Sequence, residues 1–210
     1  SYPVGYRADR QPIVSSHKYT RDQLIGRYNY LTHSQIPING VYWLAMITET
    51  MFADLIRKLL KYYPGKAGSK KQISIKDVLG ASTMDEIHLL VTDGFLNELS
   101  YKSPRDFAVE AENILSIKLL ECPAYHLYIE MKAARDVLIH NNGIVNDTYI
   151  SKAGSHARAE RGKMLPIDQV YFLEVYETCI KLSEWLEKRL HENWHSKTFA
   201  ETLKPDESSA

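Results

Sequence analysis

Apolar residues recur at intervals of three and four along most of this chain and alternate at intervals of two almost nowhere, which predicts helices rather than strands. The clearest run is VYWLAMITETMFADLIRKLLKYYPG, where Val41, Leu44, Thr48, Met51, Leu55, Leu59 and Tyr62 mark one mostly apolar stripe. Lys58 and Lys61 suit the negative end of that helix, and Pro64-Gly65 ends it. Upstream, residues 1–20 are rich in Pro, Ser and charge and are predicted irregular. A short helix is predicted from Arg21 to about Thr32, then a turn at SQIPING with Pro37 and Gly40 as breakers.

Beyond the basic stretch KAGSKKQ, the segment ISIKDVLGAS suits one strand or one helical turn, and the helix is preferred. Thr83 with Glu86 three residues on reads as a capping box opening a helix to about Tyr101. Ser103-Pro104 opens the next, to about Leu120. Pro123 starts a further helix, with Gly143 as its C′ residue. Residues 144–165 are predicted as a loop, and Pro166 opens a last long helix whose apolar face is Phe172, Tyr176, Cys179, Leu186 and Leu190. The expected organisation is an irregular segment over 1–20, one all-α bundle of about five or six helices over 21–195, and a polar, disordered tail over 196–210.

Composition narrows the class. A chain of 210 residues supports one domain with a sizeable core. Basic and acidic residues balance at 26 each, so no global field selects a nucleic acid or membrane partner, and any such contact has to be local. Cys122 and Cys179 are too few for a disulfide framework and are expected as reduced core thiols of a cytoplasmic protein. No signal peptide or membrane span is read, and no His/Cys/carboxylate spacing suggests a metal or other cofactor.

The informative stretch is ARDVLIHNNG, residues 134–143. On its helix, Ala124, Leu127, Met131, Ala134 and Leu138 form one seam, while Tyr128, Ile129, Val137 and Ile139 place apolar groups off it. A helix apolar nearly all round is central, or is covered by a second molecule. Asp136 and His140, four apart, share a face, so the carboxylate can hold the imidazole. Arg135 lies about 140° round the helix from His140. They meet only if the last turn unwinds before Gly143, or if an identical chain brings the partner residue across a two-fold axis. Of the other histidines, His126 is expected to pair with Glu130, and His191 and His195 to lie on the surface.

RDVLIHNNG resembles the catalytic motif of HEPN-domain ribonucleases, an Arg followed by a polar residue, further residues and then His, placed late in an all-α bundle with one long helix to follow. The resemblance implies a HEPN-like fold that dimerises through the motif-bearing helix. It also implies a metal-independent endoribonuclease with a composite site, of the kind found in bacterial defence and toxin systems, with an antitoxin or regulatory partner possible in principle. Arg135 and His140 would be catalytic, Asp136 would orient the imidazole, and Asn141 would hydrogen-bond phosphate or ribose. Lys152, Arg158, Arg161 and Lys163 in the following loop would track the RNA backbone. The alternative implied is a catalytically inactive HEPN module for dimerisation or partner binding. One position departs: members paired with a nucleotidyltransferase antitoxin carry a tyrosine two residues after the His, where this chain has Asn142, and the next tyrosine is Tyr149.

Overall fold

The computed structural model describes residues 3–14, 19–67 and 73–194. The predicted tail at 196–210, residues 68–72 of the basic stretch, and His195 lie outside them. The first element departs from expectation. Strands β1 (Pro3–Tyr6) and β2 (Pro12–Val14) form an antiparallel hairpin where irregular chain is predicted. Its turn is closed by the Arg7 N–H on the Gln11 carbonyl at 2.9 Å, by Asp9 accepting the Gln11 N–H at 3.1 Å, and by Arg10 at φ +63°.

Helix α1 (Arg21–Tyr30) starts at a reciprocal capping box, Thr20 accepting from the Gln23 N–H and Gln23 accepting from the Thr20 N–H. The predicted turn after it does not form. A wide π-type segment, Leu31–Gln35, leads straight into α2 (Ile36–Tyr62). Pro37 falls in the first turn of α2, directly after the wide segment. Gly40 is no breaker either: a Cβ there would collide with the Phe172 ring, so the glycine permits close helix packing. The buried side of α2 is Val41, Ala45, Thr48, Phe52, Ile56 and Leu60. This face adjoins the predicted stripe and shares Val41 and Thr48 with it; Leu44, Met51, Leu55 and Leu59 are only partly buried.

Helices α3 (Ile75–Gly80), α4 (Met84–Ser100) and α5 (Pro104–Leu115) follow, capped by Ser74, Thr83 and Ser103. Ser116 at φ +55° stops α5 short of the predicted Leu120. Its last carbonyls, orphaned as at every helix end, are taken from afar: Trp194 Nε1 donates to Leu115 at 2.9 Å and Asn193 Nδ2 to Ser116 at 2.7 Å.

The centre is α6 (Pro123–His140), packed against α2 and against α8 (Gln169–Trp194). Tyr125 meets Phe52 edge-on and Tyr128 meets it at a tilt, and Lys132 pairs with Glu49 at 2.7 Å, so α6 runs antiparallel to α2. Gly40 meets Phe172 and the Thr48 hydroxyl donates to Cys179 Sγ at 3.4 Å, so α2 and α8 run parallel. The α8 face in the core is Tyr171, Val175, Thr178, Leu182 and Leu186; Tyr176, predicted inside, is exposed. α8 begins three residues after Pro166, where Asp168 accepts the Tyr171 N–H at 2.8 Å. The α6 seam is likewise corrected: Leu127 is exposed while Tyr128, Ile129 and Val137 are buried. Each such large side chain, fully buried, contributes on the order of 2 kcal/mol of hydrophobic stabilisation.

The predicted loop over 144–165 contains a helix, α7 (Asp147–Ala153), capped by Asn146. Its two ends are tied together by the bridge between Ile144 and Met164 and by Leu165 N–H on the Gly143 carbonyl at 2.8 Å. The described residues are thus predominantly helical, as expected for an all-α chain, and none of their helices is long and apolar enough to cross a membrane.

Candidate functional site

α6 stays helical through His140 and then turns sharply. Both the Asn141 and Gly143 N–H groups bond to the Val137 carbonyl, at 2.9 and 3.1 Å. Asn142 at φ +49° and Gly143 at φ +78° occupy the left-handed region, which asparagine tolerates and glycine adopts freely. The side chain of Asn141 donates to the Ile144 carbonyl. Asn141 therefore fixes the turn, and its amide nitrogen is already engaged within the chain.

The unbroken last turn closes one of the two routes that would bring Arg135 to His140. Placed on the helix, Arg135, Ile139, Asp136 and His140 succeed one another round an arc of about 140°. Arg135 and Asp136 are half-buried, Ile139 and His140 exposed, so the arginine and the histidine form the two edges of one accessible arc. The arginine edge faces α2. Burial pushes the Tyr42 phenol up, and the nearby Arg135 guanidinium pulls it partly back. At the other edge the His140 imidazole has no hydrogen-bond or ion-pair partner among the described residues.

Asp136 does not hold that imidazole. One carboxylate oxygen accepts from Arg135 at 3.2 Å and the other from Lys152 of α7 at 3.0 Å. The sequence places Asp136 and His140 on one face, but two cations outcompete an exposed ring at the helix end. The result is a compact cluster of two cations on one carboxylate, a net positive spot beside a free imidazole.

The other loop cations separate. Arg158, expected on the RNA, has its guanidinium 3.9 Å from the centroid of Tyr171 and pairs with Glu174 at 2.8 Å. Arg161 pairs with Asp147 at 3.2 Å on the surface, and Lys163 is exposed. Of the four, Lys152 is the one brought against the motif helix. His126 does not meet Glu130; its Nε2 lies 3.0 Å from the Leu120 carbonyl.

Glu130 belongs to a polar network that periodicity does not reveal. It is buried in the middle of α6, and its two oxygens accept from Tyr149 at 2.7 Å and Tyr171 at 2.9 Å. Burial pushes both phenols and the Glu130 carboxyl up, and the phenols stay protonated donors. The Tyr149 hydroxyl also accepts the Arg158 N–H at 3.0 Å. This network clamps α7 and the basic segment onto α6, and so positions Lys152 against Asp136. It also removes Tyr149, 1% exposed, from the surface. The one signal in the sequence was a lone Glu among apolar residues on a central helix, because a buried carboxylate requires donors. Burial likewise raises both cysteine thiols, and among the described residues no group of three His, Cys, Asp or Glu side chains is assembled that could hold a metal ion.

No family model matches the chain, and neither the curated proteins nor the solved structures compared with it include a significant match.

Proposed function

We propose that the protein is a metal-independent endoribonuclease of the HEPN type, acting as a homodimer whose active cleft is built from α6 of both chains. The observation that carries the reading is the accessible arc of α6: an uncommitted imidazole on one edge, a guanidinium on the other, and Lys152 beside them. Within one straight helix the two edges diverge. A second copy laid against the arc across a two-fold axis sets Arg135 of one chain beside His140 of the other.

In that cleft the RNA supplies its own nucleophile. One His140, neutral, takes the proton of a ribose 2′-OH as the oxygen attacks the adjacent phosphorus. The bond from phosphorus to the 5′-oxygen breaks, and the imidazolium formed in the first step returns its proton to that leaving oxygen, so one His140 and the facing Arg135 complete a site. The Arg135 fork, always charged and planar, binds the non-bridging oxygens as negative charge builds on them. Products are a 2′,3′-cyclic phosphate and a 5′-hydroxyl. Asp136 serves here by holding Arg135 and Lys152 rather than by orienting the imidazole, and Asn141 by fixing the turn that ends the helix. Such an activity suits a cytoplasmic defence or toxin-type effector held in check by a partner.

Labelled RNA incubated with purified protein in EDTA tests the reading: wild type cleaves, while folded His140→Ala and Arg135→Ala do not. Equal cleavage by His140→Ala would refute it.

A second reading, a HEPN module that binds a partner without chemistry, draws on a different feature. Trp43 and Ile47 of α2 and Leu173, Tyr176 and Ile180 of the adjoining α8 are all exposed, more apolar surface than isolated surface residues need. The absence of cleavage by dimeric wild type would favour it.

A further inference from the structure

Away from the motif, a groove of about 260 Å³ opens between α2, α4, α5 and α6. Its floor is aromatic: Phe52 meets Phe107 with ring centroids 5.3 Å apart and Tyr128 at 5.9 Å, and Tyr125 packs on Tyr128 at 5.4 Å. An apolar cavity of roughly 150 Å³ already accepts a benzene ring, so this one holds a ring with a short substituent.

Two features give the groove polarity. The first is Tyr128. It is 3% exposed, it lines the groove, and its hydroxyl has no hydrogen-bond partner among the described residues. The hydroxyl itself keeps accessible surface, so it is open to an incoming acceptor. The hydroxyl of the neighbouring Tyr125, by contrast, is already committed, donating to the Pro104 carbonyl at 2.7 Å. Burial pushes the Tyr128 phenol well up, so it stands ready as a donor. The second feature is charge. Lys132, one turn along α6 from Tyr128, and Lys102 both border the groove, against one carboxylate, Glu49. Glu49 is neutralised by Lys132 at 2.7 Å, and Lys102 pairs with Glu110, which lies outside the lining. Each ammonium carries three donors, so both retain capacity for an incoming anion.

We propose that this groove binds a small aromatic anion, its ring over Phe52 and Phe107 and its acidic group at the Tyr128 hydroxyl and the Lys132 ammonium. The inference does not rest on the reading of Arg135 and His140, since the site would bind whether or not the protein cleaves RNA.

The test titrates the full chain with 3-phenylpropionate, and with its neutral amide as comparator, by calorimetry and ligand-observed NMR. Wild type is expected to bind the acid saturably at one site per chain, and the amide about tenfold more weakly. Tyr128→Phe keeps the ring and loses one hydrogen bond to a charged acceptor, an effect of about tenfold on affinity. Thr50→Trp, at an exposed lining position on α2, fills the mouth without entering the core and should abolish binding. Circular dichroism confirms that both variants fold. No saturable binding by wild type, or undiminished binding by Thr50→Trp, overturns the site. Equal affinity for acid and amide overturns its preference for an anion, and unchanged affinity in Tyr128→Phe overturns the assignment of the hydroxyl.

Discussion

Replacing Tyr149 by Phe removes one oxygen atom and leaves the ring, so no cavity opens, yet the change reaches three elements. The hydroxyl donates to Glu130 at 2.7 Å and accepts the backbone N–H of Arg158 at 3.0 Å. Without it, a buried carboxylate loses one of its two donors, a loss of about 1.5–3 kcal/mol for a hydrogen bond to a charged group, and the Arg158 N–H loses its acceptor, a further ~1–3 kcal/mol. The expected total is about 2.5–6 kcal/mol, a large share of the roughly 5–15 kcal/mol by which a domain is stable. Tyr171→Phe supplies the internal comparison. That hydroxyl makes the single bond to Glu130 at 2.9 Å, and the ring under Arg158 is kept, so about 2 kcal/mol is expected. Urea unfolding followed by circular dichroism gives both values, with an unchanged slope confirming a comparable unfolded state. If either variant lost less than about 0.5 kcal/mol, or if Tyr171→Phe were the more damaging, the network would not hold α7 to α6 as described.

Further outcomes follow from the same geometry. Burial holds the Glu130 carboxyl above its ordinary 4.5, so between that value and its folded value the native state binds more protons than the unfolded one, and stability falls as pH rises through the window, by at most about 1.4 kcal/mol per unit. Urea midpoints across that range should lose this component in Glu130→Gln; an identical slope in the variant would contradict it. Gly143→Ala places a Cβ at φ +78° and within 2.9 Å of Met164 Sδ, so a loss of about 1–2 kcal/mol is expected by thermal or urea unfolding, and a neutral result would show that the turn relaxes. Asp136→Asn should leave RNA cleavage within about tenfold of wild type, because Asp136 does not touch the imidazole; a loss as complete as that of His140→Ala would restore the carboxylate to an orienting role.

Where the sequence reading succeeded, one strong local signal acted alone. Thr83, Ser103 and Pro123 mark helix starts because capping and proline geometry are set by a few adjacent residues. The motif helix starts at Pro123 for the same reason, but it ends at His140 with Asn141 as its cap, so Asn142 rather than Gly143 is its C′ residue. Failures came where the deciding partner is distant in sequence. Gly40 reads as a breaker until the Phe172 ring is seen against it. The periodicity of α2 and α8 points one face away because those helices carry apolar residues on two adjoining faces, and only packing between helices chooses which is buried. At the site, periodicity alone put Asp136 with His140; Lys152, sixteen residues on, decided otherwise. The 140° between Arg135 and His140 was legible from the start, and the unbroken last turn of α6 makes it binding.

That angle leads to the most direct test of the shared cleft. Arg135→Ala and His140→Ala chains, each inactive alone, are unfolded together, refolded as a mixture and assayed on labelled RNA in EDTA. Mixed dimers retain one Arg135 and one His140 on opposing chains, and the account predicts that cleavage returns in the mixture. A mixture as inactive as its parents, beside an active refolded wild type, would contradict it.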